Sequence, residues 1–285
     1  MTRPLLIHGM QGLGDSIYQR GFVRHLSGAY LATAWPEVYA GLDVHLVRSG
    51  TRLRTQRKNE LATMAQYETP PANARELRIG YGAASLAQSS IIDVMRRQFG
   101  VTHPRFDLPH FDPLPIRTTK PIAVVRPVTA RREWLNAARN PEPGYICQAA
   151  QLLRQHFYVV SVADLEAGEE WLVGEAPDAD LQLHHGELNV TQLLALVDQA
   201  AVVVGGVGWV VPAAICYGTP LYVVQGGCGA HNAARVITDH CMNLRRVGWA
   251  RPDNYCLCGS MTHHCDKRIS DFDRNFEVWL NENVL

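Results

Sequence analysis

Residues 200–224 constrain the fold more than any other part of the chain, because none of them is charged. A stretch of that length without charge must be buried, either in a membrane or in a protein core. Glycine and proline would cut a membrane-spanning helix into shorter elements, and here they stand at Gly205, Gly206, Gly208, Pro212, Gly218 and Pro220. The pattern therefore predicts a buried strand, a turn, a short helix and a second buried strand, and no membrane span.

Short apolar runs alternate with helical patterns along the whole chain. Strands that are apolar on both faces and alternate with helices are typical of parallel sheets joined by right-handed crossovers. The predicted strands are residues 4–8, 30–34, 44–47, 77–80, 122–126, 158–162, 181–184, 201–205 and 221–225. The predicted helices are residues 16–26, 52–64, 87–98, 145–155, 191–199 and 210–217. We therefore expect an α/β protein with doubly wound parallel sheets.

A proline-rich segment, residues 103–121, divides the chain. Prolines this dense continue neither a helix nor a central strand, so the segment is a linker or a crossover between domains. We expect two Rossmann-like lobes, residues 1–115 and residues 116–285, with a cleft between them. Open α/β sheets bind ligands beyond the carboxyl ends of their strands, which would direct the binding loops into that cleft.

The composition limits the partners and the location. The chain has 27 Lys+Arg against 27 Asp+Glu, a formal charge of zero. That balance disfavours a strongly basic nucleic-acid binder and leaves room for one local basic groove. The first residues lack the long apolar core of a secretory signal. The seven cysteines are an odd number, so we expect reduced thiols and a cytoplasmic protein.

A glycine motif, residues 9–16, follows the first predicted strand and opens a helix. Such glycines let the backbone approach a ligand, and a helix N-terminus favours an anion. Asp15 has two interpretations at this point. It either caps the helix N-terminus or acts as a general base that activates a hydroxyl.

Two loops of the second half are candidate ligand sites. Arg126, Thr129, Arg131 and Arg132 follow a predicted strand, and guanidinium groups there would clamp a pyrophosphate. The alternative is a solvated basic loop that pairs with Glu133. The second loop comes after a helix that is capped by Asn189 or Thr191 and after the strand that follows this helix. Its glycines have two interpretations: they form a loop that faces a ligand, or they allow a helix and a strand to pack closely. Its residues are Gly205, Gly206, Val207, Gly208 and Trp209.

A basic run, residues 48–58, carries five cations before the first acid at Glu60. In the first lobe it indicates an anionic acceptor, such as a phosphorylated sugar or nucleic acid. A solvated helix start explains the same pattern. The candidate acceptor-binding residues of the run are Arg52, Arg54, Arg57 and Lys58.

Cysteine and histidine cluster near the end of the chain. Cys256, Cys258, His263 and Cys265 offer enough ligands for a tetrahedral structural zinc site. Their Cys-x-Cys spacing is tighter than the usual two-residue spacing, and a disulfide or unpaired loop cysteines are the alternatives.

Several of these stretches together resemble the lipopolysaccharide heptosyltransferases, glycosyltransferase family nine, which have the GT-B fold. The matching motifs are Gly-Leu-Gly-Asp at residues 12–15, Arg-Glu-Trp at 132–134, the helix motif at 186–196 and Ala-Ala-x-x-x-Gly-Thr-Pro at 213–220. The resemblance runs with gaps from about residue 5 to about residue 226. The order and placement of these motifs are specific for the fold.

The resemblance implies an inverting transfer of a sugar from a nucleotide-diphosphate sugar, without a catalytic metal. Asp15, beside Gly12 and Gly14 on the acceptor side, would deprotonate the acceptor hydroxyl. Arg132 would contact the donor pyrophosphate, and residues 205–209 would lie against the nucleotide-sugar. The implied acceptor is a lipid-linked or lipopolysaccharide saccharide. The basic run would equally serve a hydroxymethylated pyrimidine in DNA.

One departure from the family stands in the donor loop. The family usually has Asp-(Ser/Thr)-Gly and then a histidine before Ala-Ala, whereas residues 206–212 contain neither acid nor histidine. We interpret the chain as a divergent relative of the kind found among bacteriophage proteins, located in the host cytoplasm. The same departure leaves open a non-catalytic nucleotide-sugar-binding module, and a GT-B epimerase is a further alternative.

Overall fold

The computed structural model describes residues 3–285, which form two compact units. The first unit contains the chain up to His110 together with residues 235–242. The second unit contains residues 111–234 and 243–285. The division at His110 falls inside the proline-rich segment, residues 103–121, and none of those residues lies in a helix or a strand.

The first unit is built on a parallel sheet. Its strands are β1 (Leu5–His8), β2 (Ala29–Thr33), β3 (Val44–Arg48) and β4 (Arg75–Arg78), in the order β3-β2-β1-β4. Its helices are α1 (Leu13–Val23), α2 (Arg54–Ala62), α3 (Ala83–Leu86) and α4 (Ile91–Phe99), with a 3-10 turn at Pro36–Tyr39. Helices α1 and α4 pack together through the stacked rings of Phe22 and Phe99, whose centroids are 5.2 Å apart.

The second unit contains a larger parallel sheet and a small antiparallel one. The strands are β5 (Ile122–Arg126), β6 (Thr129–Arg131), β7 (Tyr158–Val162), β8 (Glu170–Leu172), β9 (Leu181–Leu183), β10 (Val202–Gly205), β11 (Leu221–Val224) and β12 (Val247–Ala250). The six-stranded parallel sheet has the order β12-β11-β10-β5-β7-β9, and β6 pairs with β8. The helices are α5 (Pro143–Leu153), α6 (Val190–Gln199), α7 (Val210–Tyr217), α8 (Gly229–Asn232) and α10 (Phe272–Asn283), while α9 (Ala234–Ile237) lies almost entirely in the segment of residues 235–242 that belongs to the first unit.

The uncharged stretch forms the centre of the second unit. Strands β10 and β11 are buried along their whole length, and each fully buried valine or leucine contributes about 1.5–3 kcal/mol. Helices α5 and α10 contact each other, and the core contains Leu153 of α5 together with Phe272 and Phe276 of α10. Burial in a parallel sheet, rather than in a membrane, thus accounts for the missing charges. No helix among residues 3–285 has the length and apolar character needed to cross a membrane.

The predicted α/β class and parallel sheets are confirmed, and each predicted strand overlaps an observed one. The first helix begins at Leu13, three residues before the predicted start. The elements that were not predicted are β6, β8, β12, the short helices α3, α8 and α9, the 3-10 turn, and α10.

Residues 235–242 belong to the first unit because polar contacts fix them there. Arg96 of α4 donates from Nη2 to both carboxylate oxygens of Asp239, at 3.0 and 2.9 Å. The Tyr18 hydroxyl donates to the carbonyl oxygen of Ile237 at 2.7 Å. Burial raises the pKa of Asp239, but hydrogen bonds from the Cys241 amide and Arg96 outweigh burial, so its pKa is lowered.

We expect Asp239→Asn to lower the free energy of unfolding by about 1–3 kcal/mol, because a hydrogen-bonded pair with a charged donor is lost. Since the folded carboxyl has the lower pKa, its stabilisation is present above about pH 4 and is lost as the pH falls further. Urea unfolding of the variant and the original chain between pH 7 and pH 3 measures both effects. Asp112→Asn, at an exposed position, is the control. Equal stability of the Asp239 and Asp112 variants at pH 7 would contradict this account.

Candidate functional site

Asp15 and Tyr81 meet at the carboxyl edge of the first sheet. Asp15 lies in α1, which follows β1, and Tyr81 follows β4, the parallel neighbour of β1. The Tyr81 hydroxyl donates a hydrogen bond to Oδ1 of Asp15. A hydroxyl that donates to a carboxylate stabilises its charged form, the form that accepts a proton. The pair therefore suits a general base held in one orientation.

Gly12 is the cap of α1, so the interpretation of Asp15 as the N-cap is wrong. The backbone of Gly12 is extended, with φ −63° and ψ 142°, and the helix begins at Leu13. Asp15 is the third residue of the helix, where the positive end of the helix dipole still stabilises a carboxylate. A Cβ atom on Gly12 would collide with Oδ2 of Asp15. The glycine thus makes room for the carboxylate. Gly14 lies beside Asp15 in the first turn of α1.

The neighbouring loops at this edge are fixed by Gln11. Its Nε2 donates to the carbonyl oxygen of Ala32 at 3.1 Å, and its Oε1 accepts from the amide of Ala34 at 3.1 Å. The Trp35 indole donates to the carbonyl oxygen of Gln11 at 2.7 Å. These contacts join the ends of β1 and β2, so Asp15 lies on a rigid edge.

The basic run lies in and just before α2, at the same edge. Gln56, Asn59 and Glu60 are buried, and Asn59 donates from Nδ2 to the carbonyl oxygen of Ala34 at 2.8 Å. The opposite side of the segment is basic. Arg52, Arg57 and Lys58 are exposed, and Arg54 is half-buried.

In the second unit, Arg126 meets the glycine loop of residues 205–209. Arg126 ends β5 and lies in register with Gly205, which ends β10. A Cβ atom on Gly205 would lie 3.1 Å from Cβ of Arg126, and one on Gly208 would lie 3.4 Å from its Nη1. The loop between Gly205 and Trp209 is half-buried. Two segments far apart in the sequence thus form one surface at the carboxyl edge of the sheet.

The positive charge of the Arg126 guanidinium is offset only in part, by Glu170. The side chain is half-buried, and among residues 3–285 it has no hydrogen-bond or ion-pair partner. Burial lowers the pKa of Arg126; Glu170 raises it, and Arg131 lowers it further. A desolvated cation without a fixed partner is costly unless an anion binds it. Arg126 is therefore the strongest anion-binding candidate in this unit.

The other three predicted residues of the arginine loop are held by β6 and β8. The Thr129 hydroxyl donates to Oε1 of Glu170 at 2.9 Å, and Arg131 lies opposite Glu170 in the two-stranded sheet. Arg132 forms an ion pair with Glu169 at 3.3 Å, and 72% of the Arg132 side chain is exposed. An exposed pair of this kind contributes little to stability, so Arg132 can exchange partners.

Two further segments at this edge were missed by the sequence reasoning. Gly226 and Gly227 follow β11, and a Cβ atom on Gly226 would collide with the backbone of Asn140. A Cβ atom on Gly206 would lie 3.2 Å from Cδ of Pro141. Residues 140–141 therefore pack on both glycine loops. A pair of glycines at the end of a buried strand predicted the loop that begins at Gly205 and Gly206. Gly226 and Gly227 form the same pattern after β11, so this second loop could have been predicted in the same way.

The predicted metal ligands lie together in the second unit. One ligand atom from each of Cys256, Cys258, His263 and Cys265 lies within 4.8 Å of the others. All seven cysteines are unpaired in the structure.

We expect Arg126→Gln to weaken the binding of inorganic pyrophosphate at least tenfold, since a charge-assisted hydrogen bond contributes about 1.5–3 kcal/mol. We also expect the ligand-free variant to unfold at an equal or higher temperature, because an unpaired buried charge is removed. Calorimetric titration and thermal unfolding measure the two effects. Arg274→Gln, at an exposed position of α10 in the same unit, is the matched control, with less than a threefold change. Pyrophosphate binding by Arg126→Gln at the original affinity would exclude this site.

Comparison of the chain with known proteins identifies its fold through similar solved structures. No family model matches the chain, and a search of curated proteins finds no match. The dodecameric iron-containing heptosyltransferase TibC of enterotoxigenic E. coli, in complex with ADP-D-β-D-heptose, is a similar solved structure. It is 14% identical, with a TM-score of 0.55, and the alignment covers 98% of this chain and 77% of TibC.

Two more solved structures are similar. ADP-heptose lipopolysaccharide heptosyltransferase II of E. coli is 13% identical, with a TM-score of 0.54 and 99% of both chains covered. A family nine glycosyltransferase of Veillonella parvula is 11% identical, with a TM-score of 0.55, 87% of this chain and 85% of that chain covered. The chain therefore has the GT-B-like α/β fold found in these heptosyltransferases.

Proposed function

We propose that this protein is an inverting glycosyltransferase that moves a sugar from a nucleotide-diphosphate sugar to an acceptor hydroxyl. The observation that carries the proposal is the unpaired Arg126 guanidinium against the glycine loop of residues 205–209. This is the arrangement that a diphosphate requires: a cation for its charge, and a backbone without side chains for close approach. The similar structures support the donor class, since TibC was solved with ADP-D-β-D-heptose.

The second unit binds the donor in this proposal. Arg126 neutralises the charge that develops on the diphosphate as the sugar–phosphate bond breaks. Arg131 and Arg132 lie on the same short segment, and Arg132 leaves Glu169 to join the phosphate. Thr129 holds Glu170, so it positions this segment. Because residues 206–212 contain neither acid nor histidine, the sugar is held by contacts other than those usual in family nine.

The first unit binds the acceptor. Asp15 takes the proton of the acceptor hydroxyl as that oxygen attacks the sugar carbon, and the diphosphate leaves on the opposite side. Tyr81 is a positioning residue, because its hydroxyl donates to Asp15. The basic side of α2, with Arg52, Arg57 and Lys58 exposed, favours an anionic acceptor. A phosphorylated saccharide and a hydroxymethylated pyrimidine in DNA both meet that requirement.

The donor class is tested by thermal unfolding with UDP, GDP, ADP, CDP and dTDP and their common sugar conjugates. A ligand that binds only the folded chain raises the Tm by mass action. A clear shift with one nucleotide, lost in Arg126→Gln, supports the proposal. No shift with any nucleotide would mean that residues 205–209 serve packing.

We expect Asp15→Asn to fold and bind the nucleotide normally and to lower kcat for transfer by about 10²–10⁴-fold, the usual contribution of a general base. Tyr81→Phe should lower kcat less, since it disturbs only the orientation of the carboxylate. The measurement is the rate of sugar transfer to the acceptor, with Asp112→Asn as the control. An Asp15→Asn variant of unchanged kcat would remove Asp15 from the mechanism.

The same assays separate the two other functions that the donor loop leaves open. A non-catalytic binding module would show a nucleotide-dependent Tm shift and no turnover with any acceptor. An epimerase would convert the nucleotide-sugar to its epimer without an acceptor, which product analysis detects. Either outcome would overturn the proposal of glycosyl transfer.

We expect the double variant Arg57→Gln and Lys58→Gln to raise the KM for the acceptor and leave the KM for the donor unchanged, because both side chains are exposed on α2. Removing the charge at two surface positions weakens the binding of an anionic acceptor by about 1 kcal/mol or more. Duplex DNA in a gel-shift assay at two salt concentrations is the second measurement. Retention that falls steeply with salt supports a DNA acceptor, and no retention supports a saccharide. An unchanged acceptor KM would exclude the basic side of α2 from acceptor binding.

A further inference from the structure

The Cys–His loop, residues 256–265, presents four metal-binding atoms in a compact arrangement. Sγ of Cys256 lies 3.6 Å from Nδ1 of His263, and Sγ of Cys265 lies 3.4 Å from the same nitrogen. Sγ of Cys258 lies 3.6 Å from Sγ of Cys265. The three contacts link the four side chains into one group.

These separations match the edges of a zinc tetrahedron. Zinc binds thiolate sulfur at about 2.3 Å and imidazole nitrogen at about 2.0–2.1 Å. Tetrahedral geometry then places two sulfurs about 3.8 Å apart, and a sulfur and a nitrogen about 3.6 Å apart. The three separations, 3.6, 3.4 and 3.6 Å, fall within a few tenths of an ångström of these values. Three cysteines and one histidine are also a known ligand set for structural zinc.

The loop is hydrogen-bonded to the backbone that follows β11. The amide of Gly229 donates to the carbonyl oxygen of Cys256 at 2.9 Å, and the amide of Ala230 to that of Cys258 at 3.2 Å. These two hydrogen bonds fix the backbone of two of the candidate ligands.

Cys228 has a backbone conformation that requires support. Its φ is +55°, in a region of backbone conformation that residues other than glycine rarely adopt. A residue persists there only when its surroundings hold it. The Cys–His loop supplies that support, since the neighbouring Gly227 packs directly against Cys265.

The loop also contacts the segment that packs on the glycine loops. The amide of Ala138 donates to the carbonyl oxygen of Met261 at 3.0 Å, and the amide of Gly227 donates to that of Ala138 at 2.7 Å. Residues 140–141, next along the chain, pack against Gly206 and Gly226. The Cys–His loop is thus connected, through two backbone segments, to the carboxyl edge of the second sheet.

We propose that Cys256, Cys258, His263 and Cys265 bind one Zn²⁺ ion, which fixes residues 226–230 at the carboxyl edge of the second sheet. The three thiols release their protons to solvent as they bind, and the imidazole binds through Nδ1. Four protein ligands complete the coordination, so the ion is structural. The proposal rests on the ligand geometry alone and stands whether or not the chain transfers a sugar.

A second group, Asp239, His240 and Cys241, lies in the first unit. It offers three ligands, and the Asp239 carboxylate already accepts from Arg96 and from the amide of Cys241. It therefore carries no metal site.

The experiment uses the full chain, stripped of metal by a chelator under reducing conditions and titrated with Zn²⁺ against a chromophoric competitor. We expect one Zn²⁺ per chain, and at least tenfold weaker binding in Cys256→Ser and His263→Ala. The adjacent His264→Ala and the distant Cys216→Ser are matched controls and should bind as the original chain does. Co²⁺ in place of Zn²⁺ should give the absorption bands of tetrahedral thiolate coordination.

His263→Cys keeps the proposal testable if the alanine variant fails to fold, because a fourth thiolate restores a zinc site and should restore binding. Hydrogen exchange gives a readout without activity: the amides of Gly229 and Ala230 should lose protection when zinc is removed. Less than one tenth of a Zn²⁺ per chain would overturn the proposal. So would equal losses in His263→Ala and His264→Ala, or unchanged exchange at Gly229 and Ala230.

Discussion

Parallel strand pairing is the constraint on which both candidate sites depend. In a parallel sheet every strand delivers its carboxyl end to the same edge, so loops that are distant in sequence become neighbours. The pairing of β1 with β4 brings Tyr81 to Asp15. The pairing of β5 with β10 brings Arg126 to residues 205–209. Burial of the central strands stabilises the folded chain. The polar groups lie at the carboxyl edge of each sheet, where the loops begin.

The sequence predicted the elements of the sheets well because their signals are local. The absence of charge in residues 200–224 identifies β10, α7 and β11 from composition alone. Helix α10 was missed although Phe272, Phe276 and Leu280 repeat at helical spacing, so that signal was present. Strands β6 and β8 are different, since they pair across about forty residues. Neither strand has a pattern of its own long enough to be recognised.

The candidate sites were only partly predictable, because residue type does not reveal burial or pairing. Arg126 and Arg132 looked equivalent in one basic loop, and the resemblance to family nine favoured Arg132. The structure gives them different surroundings: Arg132 is exposed beside Glu169, whereas Arg126 is half-buried without a partner. Tyr81 carried no motif at all, and only the register of β1 and β4 connects it with Asp15. The cysteine cluster differs from Tyr81 and Asp15, because its four side chains are close in the sequence and were therefore expected to lie close together in space.

The return of residues 235–242 to the first unit has a consequence for how the protein can be divided. The backbone passes between the two units three times, once near His110 and once at each end of the returning segment. A fragment that stops at His110 would leave Arg96 without Asp239 and would expose the surface that Ile237 covers. The unit boundary is therefore not a cutting point. Exchanging the first unit with that of a relative requires transplanting two separate pieces of chain, and the smaller piece lies inside the sequence of the other unit.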